Sequence, residues 1–95
     1  MKPEIAFEWD AGNIARLRLH RVSPPEIEEV LQNEPLDLEY DIEAGEERYK
    51  SLGATSRGRI LIVVWTARSA RIRPITAYTA SKKYRILFLK SRGMQ

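Results

Sequence analysis

The feature that most constrains the fold is an unbroken apolar run of six residues, Ile60 to Trp65. In an extended strand successive side chains point to opposite faces, so this segment needs cover on both sides. The run therefore predicts a central strand of a sheet that has packed layers on both faces. It is too short to cross a membrane as a helix.

Three further segments with a period of two predict the rest of the sheet: Leu36 to Asp41, Arg48 to Gly53 and Arg71 to Tyr78. Pro74 has no amide proton to donate to a neighbouring strand. The segment that contains it is therefore predicted to lie at an edge of the sheet or to carry a bulge.

Helix signals flank these strands. Ser23-Pro24-Pro25-Glu26 has the pattern of a capping serine, a proline at the first helical position and a glutamate that returns to the cap. That helix should end before Pro35. Asp10 is predicted to cap an earlier helix that holds Ile14, Leu17 and Leu19, ends near His20 and follows a short strand at Ile5 to Trp9; a last helix is predicted from Ala80 to Lys90.

These elements predict an α+β fold, with a small antiparallel sheet of about four strands, two N-terminal helices and a C-terminal helix. The length of 95 residues predicts a single domain over residues 1–95. The charged start of the chain is unlike a signal peptide, and no cysteine is present. A cytoplasmic protein without a membrane segment is expected.

The predicted turns also decide which side chains share a face of the sheet. We place a two-residue turn at Ser69-Ala70 and a loop at Thr55 to Gly58. One face then carries an apolar set that predicts core: Tyr49, Ile60, Ile62, Val64, Ile75 and Ala77. The other carries groups suited to holding phosphates and stacking a base: Arg48, Lys50, Leu52, Leu61, Val63, Trp65, Pro74, Thr76 and Tyr78. A slip of one residue would exchange the two faces.

Charge is divided sharply along the chain. All thirteen acidic residues lie between Glu4 and Glu47, and twelve of the sixteen Lys and Arg residues follow, from Arg48 onward. A basic half without acids is suited to a polyanionic ligand such as RNA. The alternative is that the two halves interleave in space and their charges pair across elements.

Metal chemistry is not indicated. One histidine and no cysteine cannot supply a zinc site, and no cofactor is expected. Glu43, Glu46 and Glu47 surround Gly45 and are a possible magnesium set, but a solvated turn is the simpler interpretation.

Several short motifs, taken in order, resemble one known family. They are Phe7-Glu8-Trp9-Asp10, Asn13, His20-Arg21-Val22, Glu47-Arg48-Tyr49 with Gly53, Gly58-Arg59, Thr66 with Arg68, and Arg71 to Ala77 followed by Ala80. Together they resemble the BrnT-type toxins of bacterial type II toxin-antitoxin modules, which belong to the RelE-like ribonuclease superfamily. The resemblance implies metal-independent RNA cleavage, in which a 2′-hydroxyl attacks the adjacent phosphate and cations stabilise the phosphoryl oxygens. It also implies a ribbon-helix-helix antitoxin and contact with operator DNA only through the toxin-antitoxin complex.

Two residues depart from the family pattern. The family usually has Arg where this chain has Tyr78, and Glu about where this chain has Tyr84. The first change removes a guanidinium that would bind phosphate, and the second removes a carboxylate that would support the site. Either Tyr78 donates or accepts a proton in the reaction, or the chain has lost activity and retains only binding.

The residues and the resemblance together nominate ten site residues. The expected catalytic residues are Arg48, Tyr78, Arg73 and His20, and the expected RNA-binding residues are Lys50, Arg59, Trp65, Arg68, Arg71 and Lys82. Arg48 and Arg73 are the preferred pair, near Trp65, although Arg73 shares a face with Arg48 only if Pro74 introduces a bulge. The simpler readings are that His20 ends a helix, that Trp65 belongs to the core, and that the turn arginines are solvated.

Three kinds of function therefore stay open. The first is a ribonuclease toxin that an antitoxin neutralises. The second is a nucleic-acid-binding component without catalysis, and the third is a protein-interaction module.

Overall fold

Seven helices and strands follow one another in the computed structural model, which describes residues 5–93. They are α1 (Ala11–Leu19), α2 (Pro24–Gln32), β1 (Leu36–Glu43), β2 (Glu46–Ala54), β3 (Ile60–Arg68), β4 (Arg71–Thr79) and α3 (Lys82–Ser91). The strands form one antiparallel sheet in the order β1-β2-β3-β4. This arrangement confirms the α+β class and the predicted placement of the helices.

Local capping explains where the first two helices begin. The Asp10 carboxylate accepts the Asn13 N–H at 3.1 Å, and the Asn13 side chain accepts the Asp10 N–H at 2.8 Å. Glu26 returns to the Ser23 N–H at 3.0 Å, immediately before Pro24. Both helix starts were predicted from these residues, because each side chain satisfies an amide that the helix leaves without a partner.

The central apolar strand lies between two cores, as its sequence predicts. Leu61 and Val63 are fully buried against α1 and α2. Ile62 points to the opposite face, where it packs with Leu52 and with Phe88 of α3. We call the first the helix-pair face and the second the groove face, because α3 covers only part of it.

The predicted pairing of β2 with β3 was wrong by one residue. Ala54 pairs with Ile60, so the connecting loop holds five residues rather than four. Thr55 causes the difference: its N–H donates to the Arg59 carbonyl at 2.8 Å, and its hydroxyl accepts the Arg59 N–H at 3.1 Å. Because the loop has an odd number of residues, the even-numbered side chains of β3 lie on the groove face, and Leu61, Val63 and Trp65 lie on the helix-pair face.

A bulge in β4 changes the predicted pairing of β3 with β4. The two-residue turn at Ser69-Ala70 is confirmed, with both residues at positive φ. Trp65 pairs with Pro74 but Val64 pairs with Thr76, so Ile75 is the extra residue. The bulge beside Pro74 puts Arg73 on the same face as Thr76. Arg48 and Arg73 therefore share a face, as preferred, but Trp65 lies on the other one.

Two smaller expectations also failed. The opening segment makes a single parallel bridge, Phe7 to Ile72, rather than a strand, with the Glu8 N–H donating to the Ile72 carbonyl at 2.8 Å. Leu19 was placed on the apolar side of α1, but it is 80% exposed because it ends the helix. None of the helices formed by residues 5–93 has the length and apolar character that crossing a bilayer requires.

The two charge blocks pair with each other in space. Each ion pair among residues 5–93 joins an acid of the first half to a base of the second, through Arg48, Lys50, Arg59, Arg68, Arg73 and Arg92. The alternative of pairing across elements is thus realised for half of the twelve basic residues.

Candidate active site

A groove crosses the open part of the groove face, between α1 and the edge strand β1. It has a volume of about 320 Å³, which is within the range that holds a small ligand or a nucleotide-sized group. Its lining comes from five elements, α1 and all four strands: Arg16, Glu39, Asp41, Glu43, Arg48, Lys50, Val64, Ile75, Thr76 and Tyr78. We refer to it as the sheet groove.

Two cations on β2 form one wall of the sheet groove. The Lys50 amine lies 3.2 Å from Glu39, and the Arg48 guanidinium lies 3.2 Å from Glu43. The hydrogen bond with Glu39 holds the pKa of Lys50 above its ordinary value, and the nearby phenol of Tyr78 adds to the shift. Lys50 is therefore a cation at neutral pH, suited to binding phosphate rather than to accepting a proton.

Arg48 also carries a donor without a partner. Its Nε is buried and bonds no atom of residues 5–93. A buried N–H without an acceptor costs free energy, and an anionic oxygen entering the groove would relieve that cost.

The opposite wall comes from α1. Arg16 lines the groove and makes no hydrogen bond or ion pair with any described residue. His20 follows one helical turn later, and its ring lies 6.1 Å from that of Tyr78, with the planes tilted by 56°. Because residues four apart share a helix face, α1 brings a guanidinium and an imidazole to the same side of the sheet.

Tyr78 connects these groups. It pairs with Ile62 on β3, lines the groove, and has the His20 ring on one side and Lys50 close enough for electrostatic interaction. Tyr84 of α3, the second departure from the family pattern, is partly buried in the small core beneath α3 that Tyr78 also contacts. Tyr78 thus places a phenol in the groove, and Tyr84 places another beside it.

A second depression of about 280 Å³ continues from the sheet groove and shares Arg16, Arg48 and Ile75 with it. Arg73 and Arg68 lie here. Arg73 donates to Glu8 at 2.9 Å and to Asp10 at 2.7 Å. The bond from Arg73 holds the pKa of Asp10 below its usual range, and the same bond raises the pKa of Arg73. Arg73 is therefore held by carboxylates at the start of α1.

Not all of the nominated residues converge. Trp65 stacks on Tyr49 at 4.4 Å on the helix-pair face, and its indole N–H donates to the Ser51 hydroxyl at 2.9 Å. Arg59 is bonded to Glu26 at 2.7 Å. Arg71 at the hairpin end and Lys82 at the start of α3 are exposed and line neither depression. The groove brings together Arg48, Lys50, Tyr78 and, beside it, His20, while Arg68 and Arg73 lie in the adjoining depression.

Arg16 was missed by sequence reasoning. Its four-residue spacing from His20 was the available signal, because that spacing puts both on one face of α1. The packing of α1 against β4, which turns that face toward Tyr78, was not visible in the sequence.

A family model matches residues 9–83, which include α1, α2, the whole sheet and the start of α3. The model describes the ribonuclease toxin BrnT of type II toxin-antitoxin systems. The chain belongs to this family. Membership in the BrnT family implies an RNA substrate and an antitoxin partner, and it confirms the resemblance found in the sequence motifs. No curated protein matched the chain.

Proposed function

We propose that this BrnT-family chain cleaves RNA in the sheet groove without a metal ion. The observation that carries the proposal is the convergence of Arg16, Arg48, Lys50 and Tyr78 on one groove, with the His20 ring beside Tyr78. These are the groups that a phosphodiester cleavage by an internal hydroxyl requires.

The reaction removes the proton of a ribose 2′-hydroxyl as its oxygen attacks the adjacent phosphorus. The bond from phosphorus to the 5′-oxygen breaks, and that oxygen takes up a proton. Tyr78 and His20 are positioned to exchange these protons, because their rings adjoin at the groove. The products are a 2′,3′-cyclic phosphate and a free 5′-hydroxyl.

Arg16, Arg48 and Lys50 bind the phosphate and stabilise the charge that grows on its oxygens. Arg16 supplies the guanidinium that is missing at position 78 relative to the family pattern. It makes no ion pair among residues 5–93, whereas Arg48 and Lys50 must exchange Glu43 and Glu39 for phosphate oxygens. Arg73 and Arg68 extend the basic surface for the neighbouring nucleotides.

The first prediction concerns Tyr78 and Arg16. Tyr78→Phe and Arg16→Ala should each lower the rate of RNA cleavage by about 10²- to 10³-fold, by removing a proton-transfer group or a phosphate ligand. The rate is measured on a mixed RNA substrate in EDTA, with the products separated on a denaturing gel. The matched controls are Tyr40→Phe, on the other face, and Arg18→Ala, an exposed arginine on the same helix as Arg16.

Loss of cleavage in both control variants would contradict the site, and cleavage by Tyr78→Phe at the wild-type rate would contradict the role of the phenol. Wild-type protein that binds RNA but does not cleave it would favour the alternative of binding without catalysis. The carboxylates that pair with Arg48 and Lys50 are the feature that supports this alternative.

We also propose that the antitoxin is of the ribbon-helix-helix type and that its complex with the toxin binds the operator DNA. This proposal rests on the family pattern. Growth arrest on expression of the chain, relieved by the adjacent gene, tests the module, and the sequence of that gene tests the antitoxin type.

A further inference from the structure

The outer edge of β1 is open along its length. Among residues 5–93, β1 pairs only with β2, and six of its eight residues are exposed. An edge strand of this length presents unpaired backbone groups that an extended segment of another chain can join.

Beyond the irregular pairing at Asp37–Glu39, the side chains of β1 that point to the helix-pair face are apolar and uncovered. Tyr40 is 54% exposed and Ile42 is 60% exposed. The Tyr40 ring lies 5.2 Å from that of Tyr49, which stacks on Trp65. An added strand with apolar residues on this face would continue the row of rings formed by Tyr40, Tyr49 and Trp65.

From Glu39 onward, the β1 side chains on the groove face are acidic. Glu39 and Glu43 each contact one cation at 3.2 Å, yet their side chains are 61% and 67% exposed. Asp41 lies between them and makes no ion pair with any described residue. These carboxylates can each accept a further cation from an added strand.

We propose that the β1 edge docks an extended segment of a partner protein whose residues alternate between cations and apolar side chains. The apolar residues lie over Tyr40 and Ile42, and the cations face Glu39, Asp41 and Glu43. A second copy of this chain fits poorly, because antiparallel pairing of two β1 edges sets carboxylates against carboxylates. Because successive side chains of a strand point to opposite faces, one alternating segment can present its cations to the carboxylates and its apolar side chains to Tyr40 and Ile42.

The test uses the whole chain with a probe peptide, Lys-Val-Lys-Ile-Lys-Val-Lys, fused after Gln95 through about twelve Gly and Ser residues, a linker that spans about 20 Å. Arg92 donates to the Asn33 carbonyl at 3.1 Å, so α3 ends beside the start of β1. Tethering gives an effective concentration in the millimolar range, which makes weak docking measurable. The matched control carries Glu in place of every Lys of the peptide.

Amide hydrogen exchange of β1 is followed by NMR. Exchange about tenfold slower with the basic peptide than with the acidic one, in a fusion that sediments as a monomer, supports the proposal. The same fusion with Tyr40→Thr and Ile42→Thr together should lose most of that protection. Equal protection by both peptides overturns the charge assignment, and protection by neither overturns docking. Protected β1 amides in a dimer of the unfused chain would instead identify a contact between copies.

Discussion

Asn13 shows how much of the fold a single side chain holds. It is almost fully buried, at 3% exposure, and its Nδ2 donates to the Glu8 carbonyl at 2.9 Å and to the Pro74 carbonyl at 3.0 Å. Its oxygen accepts the Asp10 N–H at 2.8 Å. One amide therefore joins the opening segment, the start of α1 and the bulged strand β4.

Replacing Asn13 should be costly. Asn13→Ala removes the donor from the buried Pro74 carbonyl and from the partly buried Glu8 carbonyl, and we expect the free energy of unfolding to fall by about 2–3 kcal/mol. Urea denaturation measures it. The control Gln32→Ala, at an exposed helix end, should stay within about 0.5 kcal/mol of wild type. An Asn13 variant as stable as that control would contradict the role of the amide.

The ion pair between Asp10 and Arg73 should make the stability of the fold depend on pH. The hydrogen bond from Arg73 holds the pKa of Asp10 below its ordinary value of roughly 3.9. A depressed carboxyl pKa stabilises the fold above the unfolded-state value, and the contribution disappears as the pH falls through the folded-state value. Asp10→Asn, which can still cap the helix, should therefore be less stable than wild type near pH 7, and the difference should shrink as the pH falls below the ordinary pKa of an aspartate. Thermal melts across this range measure the difference, which would be constant with pH if the ion pair contributed nothing.

Sequence reasoning succeeded at residues whose role depends on near neighbours. Asp10, Ser23 and Glu26 were assigned as caps because their partners lie three residues away. Arg16 was not assigned to the groove, since its position depends on how α1 packs against β4, far along the chain.

At the scale of elements, α2 approaches β2 closely at Gly53. A Cβ added at Gly53 would lie 2.9 Å from Val30 Cγ1 and 3.3 Å from the Val30 carbonyl oxygen. Glycine is favoured here for space, because a methyl group would collide with the Val30 side chain and lie tightly against the Val30 carbonyl oxygen.

Gly53→Ala should therefore destabilise the protein by about 1–3 kcal/mol, measured by urea denaturation. In a double-mutant cycle with Val30→Ala, which removes the nearest atom, the combined loss should be smaller than the sum of the single losses. Additive losses would show that the two residues do not collide.

The sheet shows which structural features the alternation of side chains cannot predict. Strand identity and order followed from alternation, but the face of each β3 residue depended on whether the loop before it was odd or even. Thr55 decided that through its own hydrogen bonds, and a bulge at Ile75 shifted the last strand again. Arg48, Lys50, Thr76 and Tyr78 kept a common face despite both errors, because the loop and the bulge each moved the register by one residue.

For the whole molecule, the interleaving of the two charge blocks limits how much charge is free for RNA. Half of the twelve basic residues in the second half of the chain pair with acids of the first. The cations that line the sheet groove are three: Arg16, Arg48 and Lys50.

The salt dependence of RNA binding should reflect the number of cations at the groove rather than the number of basic residues in the second half of the chain. Three phosphate contacts in the groove, or five with Arg68 and Arg73 of the adjoining depression, predict a slope of log K against log salt between about −2 and −3.5, whereas twelve contacts would give about −8. Fluorescence anisotropy of labelled single-stranded RNA with the Tyr78→Phe protein, between about 50 and 200 mM salt, measures the slope. A value close to the steeper figure would contradict the confinement of binding to the groove.

Segments far apart in the chain meet at the groove: Arg16 and His20 come from α1 and its end, Tyr78 comes from β4, and Asn13 bonds to the carbonyl of Pro74, 61 residues further on. A ribosome adds about 5–20 residues each second, so roughly 3–12 s separate the synthesis of these two residues. During that interval β1, β2 and β3 are synthesised, but β4, which carries Tyr78, is not complete. The proposed cleavage site is therefore incomplete until Tyr78 of β4 has been synthesised.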